Sequence, residues 1–257
     1  MKHNGIPLAL RPHIEVAMPT TVMVLAAGLG KRMRPLTATR PKPLVEVAGR
    51  TLLDRALDRV EAAGIETAVV NAHYFADQID AAVAARSADK PDGLKIRVSD
   101  ERAQLLETGG GVVKALPLID ADPFFVVNAD NMWIDGSADT LRLLAQRWNP
   151  DEMDALLLLV PLARATGYDG RGDFHLDPAG VVTPRGEFRI APFVYSGIQL
   201  ISKRLFDGEP AEPFSVWRQW HKALAAGRLF GAVHQGLWFH VGTPASVGET
   251  EGLLATA

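Results

Sequence analysis

Cysteine is absent from the 257-residue chain, which excludes disulfides, thiolate zinc sites and cysteine nucleophiles. No apolar run approaches the roughly 20 residues of a membrane-spanning helix. Charge of one sign is not in excess either. The 27 Lys and Arg stand against 30 Asp and Glu, a formal net charge of -3, which gives no electrostatic reason for nucleic-acid binding. Residues 1–20 lack the apolar centre of a secretory signal and carry prolines, charges, His3 and His13 instead. They read as a flexible N-terminal arm, or as residues ahead of a start at Met18. The expectation is a cytoplasmic protein with neither nucleic-acid nor membrane partner. No internal repeat, low-complexity tract or long linker interrupts the chain.

What is present is ordinary globular composition, 47% hydrophobic and 22% charged. A chain of this length can bury a core without staples, as one large α/β domain. Thr21 to Ala26 is a short, almost wholly apolar run, the pattern of a strand buried on both faces of a parallel sheet. Leu53, Ala56, Leu57, Val60 and Ala63 then make one helical stripe, with Thr51 as its N-cap and Gly64 at its end. Strands at 68–70, 94–98, 124–127 and 155–160 alternate with helices at 76–85, 111–116 and through Leu141, Leu144 and Trp148. That alternation predicts an α/β fold with a mostly parallel central sheet and helices on both faces. Residues 21–160 form the first part. After Pro161 shorter strand-like pieces near 173–176, 188–190 and 194–200 predict a β-rich second part over 161–257, closed by helices at 216–226 and 244–254.

The most informative stretch follows the first strand: Ala26-Ala27-Gly28-Leu29-Gly30-Lys31-Arg32-Met33-Arg34-Pro35-Leu36-Thr37, then Pro41-Lys42-Pro43-Leu44. Small residues there let backbone N–H groups approach a triphosphate, and Lys31, Arg32 and Lys42 add fixed positive charge. In open α/β sheets such a loop lies at the carboxyl ends of strands, where ligands bind. A Walker A loop needs Ser or Thr after Gly-Lys, but Arg32 follows Lys31. A dinucleotide fingerprint needs a third glycine where Met33 stands. These residues resemble the sugar-1-phosphate nucleotidylyltransferase family, which carries a Gly-x-Gly-x-Arg loop and a downstream Pro-Lys-Pro. The resemblance, over about residues 21–256, implies a Rossmann-like nucleotidyltransferase fold, with residues 21–160 as the nucleotide-binding part and 161–257 as the sugar-binding part. It makes Arg32 and Lys42 the catalytic cations and places Ala26, Ala27, Gly28, Gly30 and Lys31 against the nucleotide.

Leu106-Glu107-Thr108-Gly109-Gly110-Gly111, completed by Lys114-Ala115-Leu116-Pro117, resembles the N-acetylmuramate-1-phosphate uridylyltransferase branch of that family. The resemblance implies that Thr108 and Gly109 touch the base, with Glu101 beside them, and that the role is in cell-wall sugar recycling. It also implies Asp130, in Asn128-Ala129-Asp130, as a ligand of Mg²⁺, a cation that takes few protein oxygens. The family's second metal Asp is replaced by His240, in Trp238-Phe239-His240-Val241-Gly242-Thr243. Imidazole suits Mn²⁺ better than Mg²⁺. Metal ligation, phosphate contact and a hydrogen-bonded role near the site stay open for His240. On the sugar side the candidates are Asn128, Gly170, Asp173, Glu187 and Ser196.

The reaction implied condenses a nucleoside triphosphate, UTP on this reading, with a sugar 1-phosphate, releasing pyrophosphate, in a monomer or homodimer. The alternatives are a guanylyl- or other nucleotidyltransferase on a hexose or heptose 1-phosphate, a choline-phosphate cytidylyltransferase, or a weakly active sugar-nucleotide sensor.

Overall fold

The computed structural model describes residues 17–256. The arm expected over residues 1–20 lies mostly outside them. In chain order the elements are β1 (Thr21–Leu25), a two-strand hairpin of β2 (Glu46–Val47) and β3 (Arg50–Thr51), α1 (Leu52–Ala62), β4 (Thr67–Ala72), α2 (Ala76–Asp89) and β5 (Lys95–Asp100). Next come α3 (Glu107–Ala115), β6 (Phe124–Asn128), β7 (Asn131–Ile134), α4 (Thr140–Arg147), β8 (Ala155–Pro161) and β9 (Ala165–Thr166). The chain closes with β10 (Phe174–Leu176), β11 (Val182–Pro184), β12 (Phe193–Ile201), α5 (Trp217–Ala225), β13 (Leu229–Val233), β14 (Leu237–His240) and α6 (Pro244–Leu254).

β5, β4, β1 and β6 lie side by side and parallel in the nine-stranded main sheet. β12 runs antiparallel to both β6 and β8, and β13 pairs parallel with β8. β10 is antiparallel to β12 and β11 to β10, so the sheet is mostly parallel with a reversed central strand, β12, and a reversed edge strand, β11, as the alternation of elements predicts for the larger part. Its pleat divides the core into two layers, because successive strand residues point to opposite faces. Val22, Val24, Phe125 and Val127 pack under α1, α2 and α4, whereas Met23, Phe124 and Val126 pack under α3 and α5. Thr51 caps α1 by accepting from Asp54 N–H, and Gly64, at φ 88°, ends it.

β12 does two jobs. Its second half lies between β6 and β8, and its first half leaves β6 and takes up β10. The irregularity between Tyr195 and Gln199 is the crossing point. A second, three-stranded sheet, in the order β7-β14-β9, ties residues just after β6 to the end of the chain. Beneath it Met33, Val45, Val47, Leu52, Met132, Phe239 and Val241 form a small third core.

Three expectations need correction. The glycine run is not a lead-in to a helix beginning at Gly111: Gly109, Gly110 and Gly111 lie inside α3 and are buried. Residues 188–190 are not a strand but an exposed turn, with Phe188 at φ 59° and 80% exposed. The helix expected from Val216 begins one residue later, at Trp217.

Candidate active site

The carboxyl ends of β1, β4 and β6 open on a cavity of about 510 Å³. Ala26, Ala27, Gly28, Gly30, Lys31 and Arg32 of the loop line it, together with Lys42, Asn71, Thr108, Asn128 and Asp130. The loop takes its shape from Met33, which is fully buried in the third core and whose N–H donates to Gly30 O at 2.9 Å. That anchor leaves Lys31 and Arg32 exposed at the cavity. Gly30 sits at φ +57°, and a Cβ there would stand 3.0 Å from the Cβ of Lys42. The position thus requires glycine for both backbone conformation and space.

Lys42 opens a short helical turn between two prolines and is only 7% exposed. Its ammonium donates to Asp130 Oδ2 at 2.7 Å. Asp130 follows the buried Ala129, whose N–H donates to Leu25 O at 3.0 Å, so the turn after β6 is pinned to β1. Cation and carboxylate are separated by 88 residues in sequence and brought into contact by the parallel β1–β6 pairing.

His240 ends β14, stacked on Trp238 with centroids 5.8 Å apart and edge-on to Tyr168 at 5.9 Å. Burial first, and then the nearby Lys42 and Arg32 charges, hold its imidazole below the ordinary range, and Asp130 opposes them only in part. The ring is therefore neutral at neutral pH and belongs to the same electrostatic neighbourhood as the three charged groups. Among the described residues no three His, Asp or Glu side chains gather into a metal cage. A lone carboxylate such as Asp130 still suits Mg²⁺, which keeps waters and phosphate oxygens as its other ligands.

The base-side candidates separate. Thr108 lines the cavity, and its Oγ1 accepts from Val216 N–H at 2.8 Å. Gly109 is buried, with its N–H donated to Phe214 O at 2.8 Å, so that donor is already engaged. Glu101 is fully buried and contacts Asn71 and Leu106 rather than the cavity.

The sugar-side candidates separate as well. Asn128 lines the cavity. Gly170 is exposed beside the Tyr168 hydroxyl and does not line the cavity. Asp173 accepts from Tyr195 N–H at 2.9 Å, and burial pushes its carboxyl above the usual range. Ser196 is fully buried, its hydroxyl accepting from Ile198 N–H at 3.2 Å within the irregular stretch of β12. Glu187 is exposed in the 185–190 turn. Asp173, Ser196 and Glu187 do not line the cavity.

Sequence reasoning missed Asn71, Ser215 and Gly242, all of which line the cavity. Asn71 had a usable signal, a lone amide in the otherwise apolar run Ala68-Val69-Val70-Asn71-Ala72. Ser215 had none, since it reaches the cavity only because residues 212–216 fold over α3.

A mostly parallel sheet with a glycine loop, three cations and a carboxylate around one cavity is the arrangement of a nucleotidyltransferase-type enzyme. The chain belongs to the MobA-like NTP transferase domain family, whose pattern it matches over residues 22–234. It is 45% identical over 239 residues to an N-acetylmuramate alpha-1-phosphate uridylyltransferase of Caulobacter vibrioides, covering 93% of this chain and 98% of that one. A protein of the same name from Neisseria meningitidis serogroup B is 37% identical over 235 residues, covering 90% and 96% of the two chains. Among solved structures, a UDP-glucose pyrophosphorylase complexed with UDP-glucose superposes with a TM-score of 0.76 at 15% identity, covering 93% of this chain and 99% of that one. This last likeness speaks for the fold alone.

Proposed function

We propose that this chain is a sugar-1-phosphate uridylyltransferase that condenses UTP with N-acetylmuramate 1-phosphate, giving the nucleotide sugar and pyrophosphate. The observation that carries the reading is the Lys42–Asp130 contact at 2.7 Å, in a cavity that Arg32 and a glycine loop also line. Near-full-length identity of 45% to an enzyme of that activity supports the substrate pair.

The nucleophile is a phosphate oxygen of the sugar 1-phosphate, already anionic, so no general base is needed. It attacks the α-phosphorus of the triphosphate in line. One P–O bond forms as the bond to the β-phosphate oxygen breaks, and pyrophosphate carries away the electron pair. The protein's work is positioning and charge neutralisation between two anions. Arg32, exposed at the loop, stabilises the pentavalent centre and the departing pyrophosphate. Lys42 bridges the α-phosphate and the sugar phosphate, held in place by its burial and by Asp130. Asp130 would hold a divalent cation, which would supply further neutralisation of phosphate oxygens. His240, neutral beside that carboxylate, is its candidate second ligand or a donor to phosphate. The cell-wall recycling role and a cytoplasmic setting belong to the same reading. No helix among the described residues is long and apolar enough to cross a membrane.

The test is pyrophosphate release from purified protein with Mg²⁺, each common nucleoside triphosphate and a panel of sugar 1-phosphates. Release with UTP and N-acetylmuramate 1-phosphate is the expected outcome. Release only with GTP and a hexose 1-phosphate would replace the substrates and keep the chemistry. No release with any pair, in Mg²⁺ or Mn²⁺, would remove the enzymatic reading.

A further inference from the structure

The third glycine of α3 leads to a buried contact that the reaction does not by itself explain. A Cβ on Gly111 would stand 2.8 Å from Glu101 Oε1 and 3.0 Å from Asn71 Nδ2. Those two side chains are 0% and 1% exposed. Asn71 Nδ2 donates to Glu101 Oε1 at 2.7 Å. On its other side Asn71 Oδ1 accepts from Ala26 N–H at 2.6 Å and, more weakly, from Ala27 N–H at 3.3 Å. The second carboxylate oxygen, Glu101 Oε2, accepts from Leu106 N–H at 3.1 Å, one residue before α3. The amide's orientation is dictated by its partners, because backbone donors face one end and a carboxylate the other.

A buried carboxylate is costly unless it is fully hydrogen-bonded, so this one implies a compensating task. The task is visible in what the chain of bonds connects. At one end are the first N–H groups of the phosphate loop. At the other is the start of the helix that carries Thr108 to the cavity wall. We propose that Asn71 and Glu101 are positioning residues, a two-member relay that locks the phosphate loop to the base-side helix and so sets nucleotide affinity. The relay holds Ala26 and Ala27 back, leaving the N–H groups from Gly28 onward to meet the triphosphate. It rests on reading the cavity as the nucleotide site.

The relay predicts a specific rescue. Glu101→Gln leaves one amide N–H group facing either Asn71 Nδ2 or Leu106 N–H, a donor against a donor. Asn71→Asp sets two buried carboxylates against each other. In the double variant the pattern closes again. The carboxylate introduced at position 71 accepts from Ala26 N–H and from the side-chain amide introduced at position 101. The oxygen of that amide accepts from Leu106 N–H, and the net charge is unchanged.

The experiment measures UTP binding by calorimetry and steady-state kinetics for both substrates, with thermal unfolding as the check on folding. Glu101→Gln is expected to weaken UTP binding and raise the KM for UTP about 10-fold or more, in line with the cost of small misplacements at a reacting site. The KM for the sugar 1-phosphate should move far less. Glu101→Gln/Asn71→Asp should recover most of the UTP affinity. Wild-type UTP affinity in Glu101→Gln overturns the proposal, as does a folded double variant no better than either single one. An equal rise in both KM values also overturns it, since that marks general loosening. If wild-type protein binds UTP but turns over no sugar, the uridylyltransferase reading fails, and the calorimetric rescue still decides the relay.

Discussion

Two glycines of this chain should respond in opposite ways to the same added methyl group. At Gly110, inside α3, a Cβ would lie 1.9 Å from the carbonyl oxygen of Glu212 and 2.9 Å from its carbon. The obstacle is backbone, and Gly110 N–H already donates to Phe214 O at 3.2 Å across the same contact. Alanine gains about 1 kcal/mol of helix propensity over glycine. Against that stand about 1–3 kcal/mol for overpacking and about 1 kcal/mol for the displaced hydrogen bond. Gly110→Ala is therefore expected to destabilise by about 2 kcal/mol, which in a domain of this size lowers Tm by about 4–8 °C. At Gly28 a Cβ meets nothing within 4 Å, but the residue lines the cavity. Gly28→Ala should leave Tm within about 1–2 °C of wild type, the range of an uncrowded surface substitution, and raise the KM for the nucleotide several-fold. Differential scanning fluorimetry and initial-rate kinetics on both variants decide the matter. An unchanged Tm for Gly110→Ala, or equal losses of Tm in the two variants, would refute the division of the glycines into a packing set and a substrate-facing set.

Arg32→Ala and Lys42→Ala should each lose about 10²–10³-fold in kcat while circular dichroism stays native, and near-normal turnover by either would remove its catalytic role. Chelation of divalent cations should abolish pyrophosphate release, with recovery on adding Mg²⁺ or Mn²⁺; full activity in excess chelator would sink the assignment of Asp130 as a cation ligand. Burial holds the imidazoles of His234 and His240 below the ordinary range. The unfolded chain therefore binds those protons more readily than the folded one. Stability from this source is present above about pH 6.5 and is lost as pH falls below it. Tm should decline there, and His234→Asn should make the decline shallower; an identical pH profile in that variant would show that His234 is not its source.

The sequence by itself determined the layered α/β architecture, because apolar runs, helical stripes and their order are local patterns that tolerate few alternatives. Arg32, Lys42 and Asp130 were named through the resemblance that the motifs around them carry, and the structure sets all three on one cavity. Only the tertiary structure decided which glycines serve packing. Gly109 and Gly110 look like part of a ligand loop until Phe214 and Glu212, about a hundred positions later, are seen lying against them. Glu101 and Ser196 likewise look like site residues in sequence, yet their polar atoms are engaged inside the fold. Asn71 is the reverse case: a strand residue that reaches the cavity wall because β4 lies beside β1 and ends where the phosphate loop begins. The physical reason is the same throughout. A motif specifies which chemistry a segment can perform, whereas long-range packing determines which donors, acceptors and open volumes remain free to perform it.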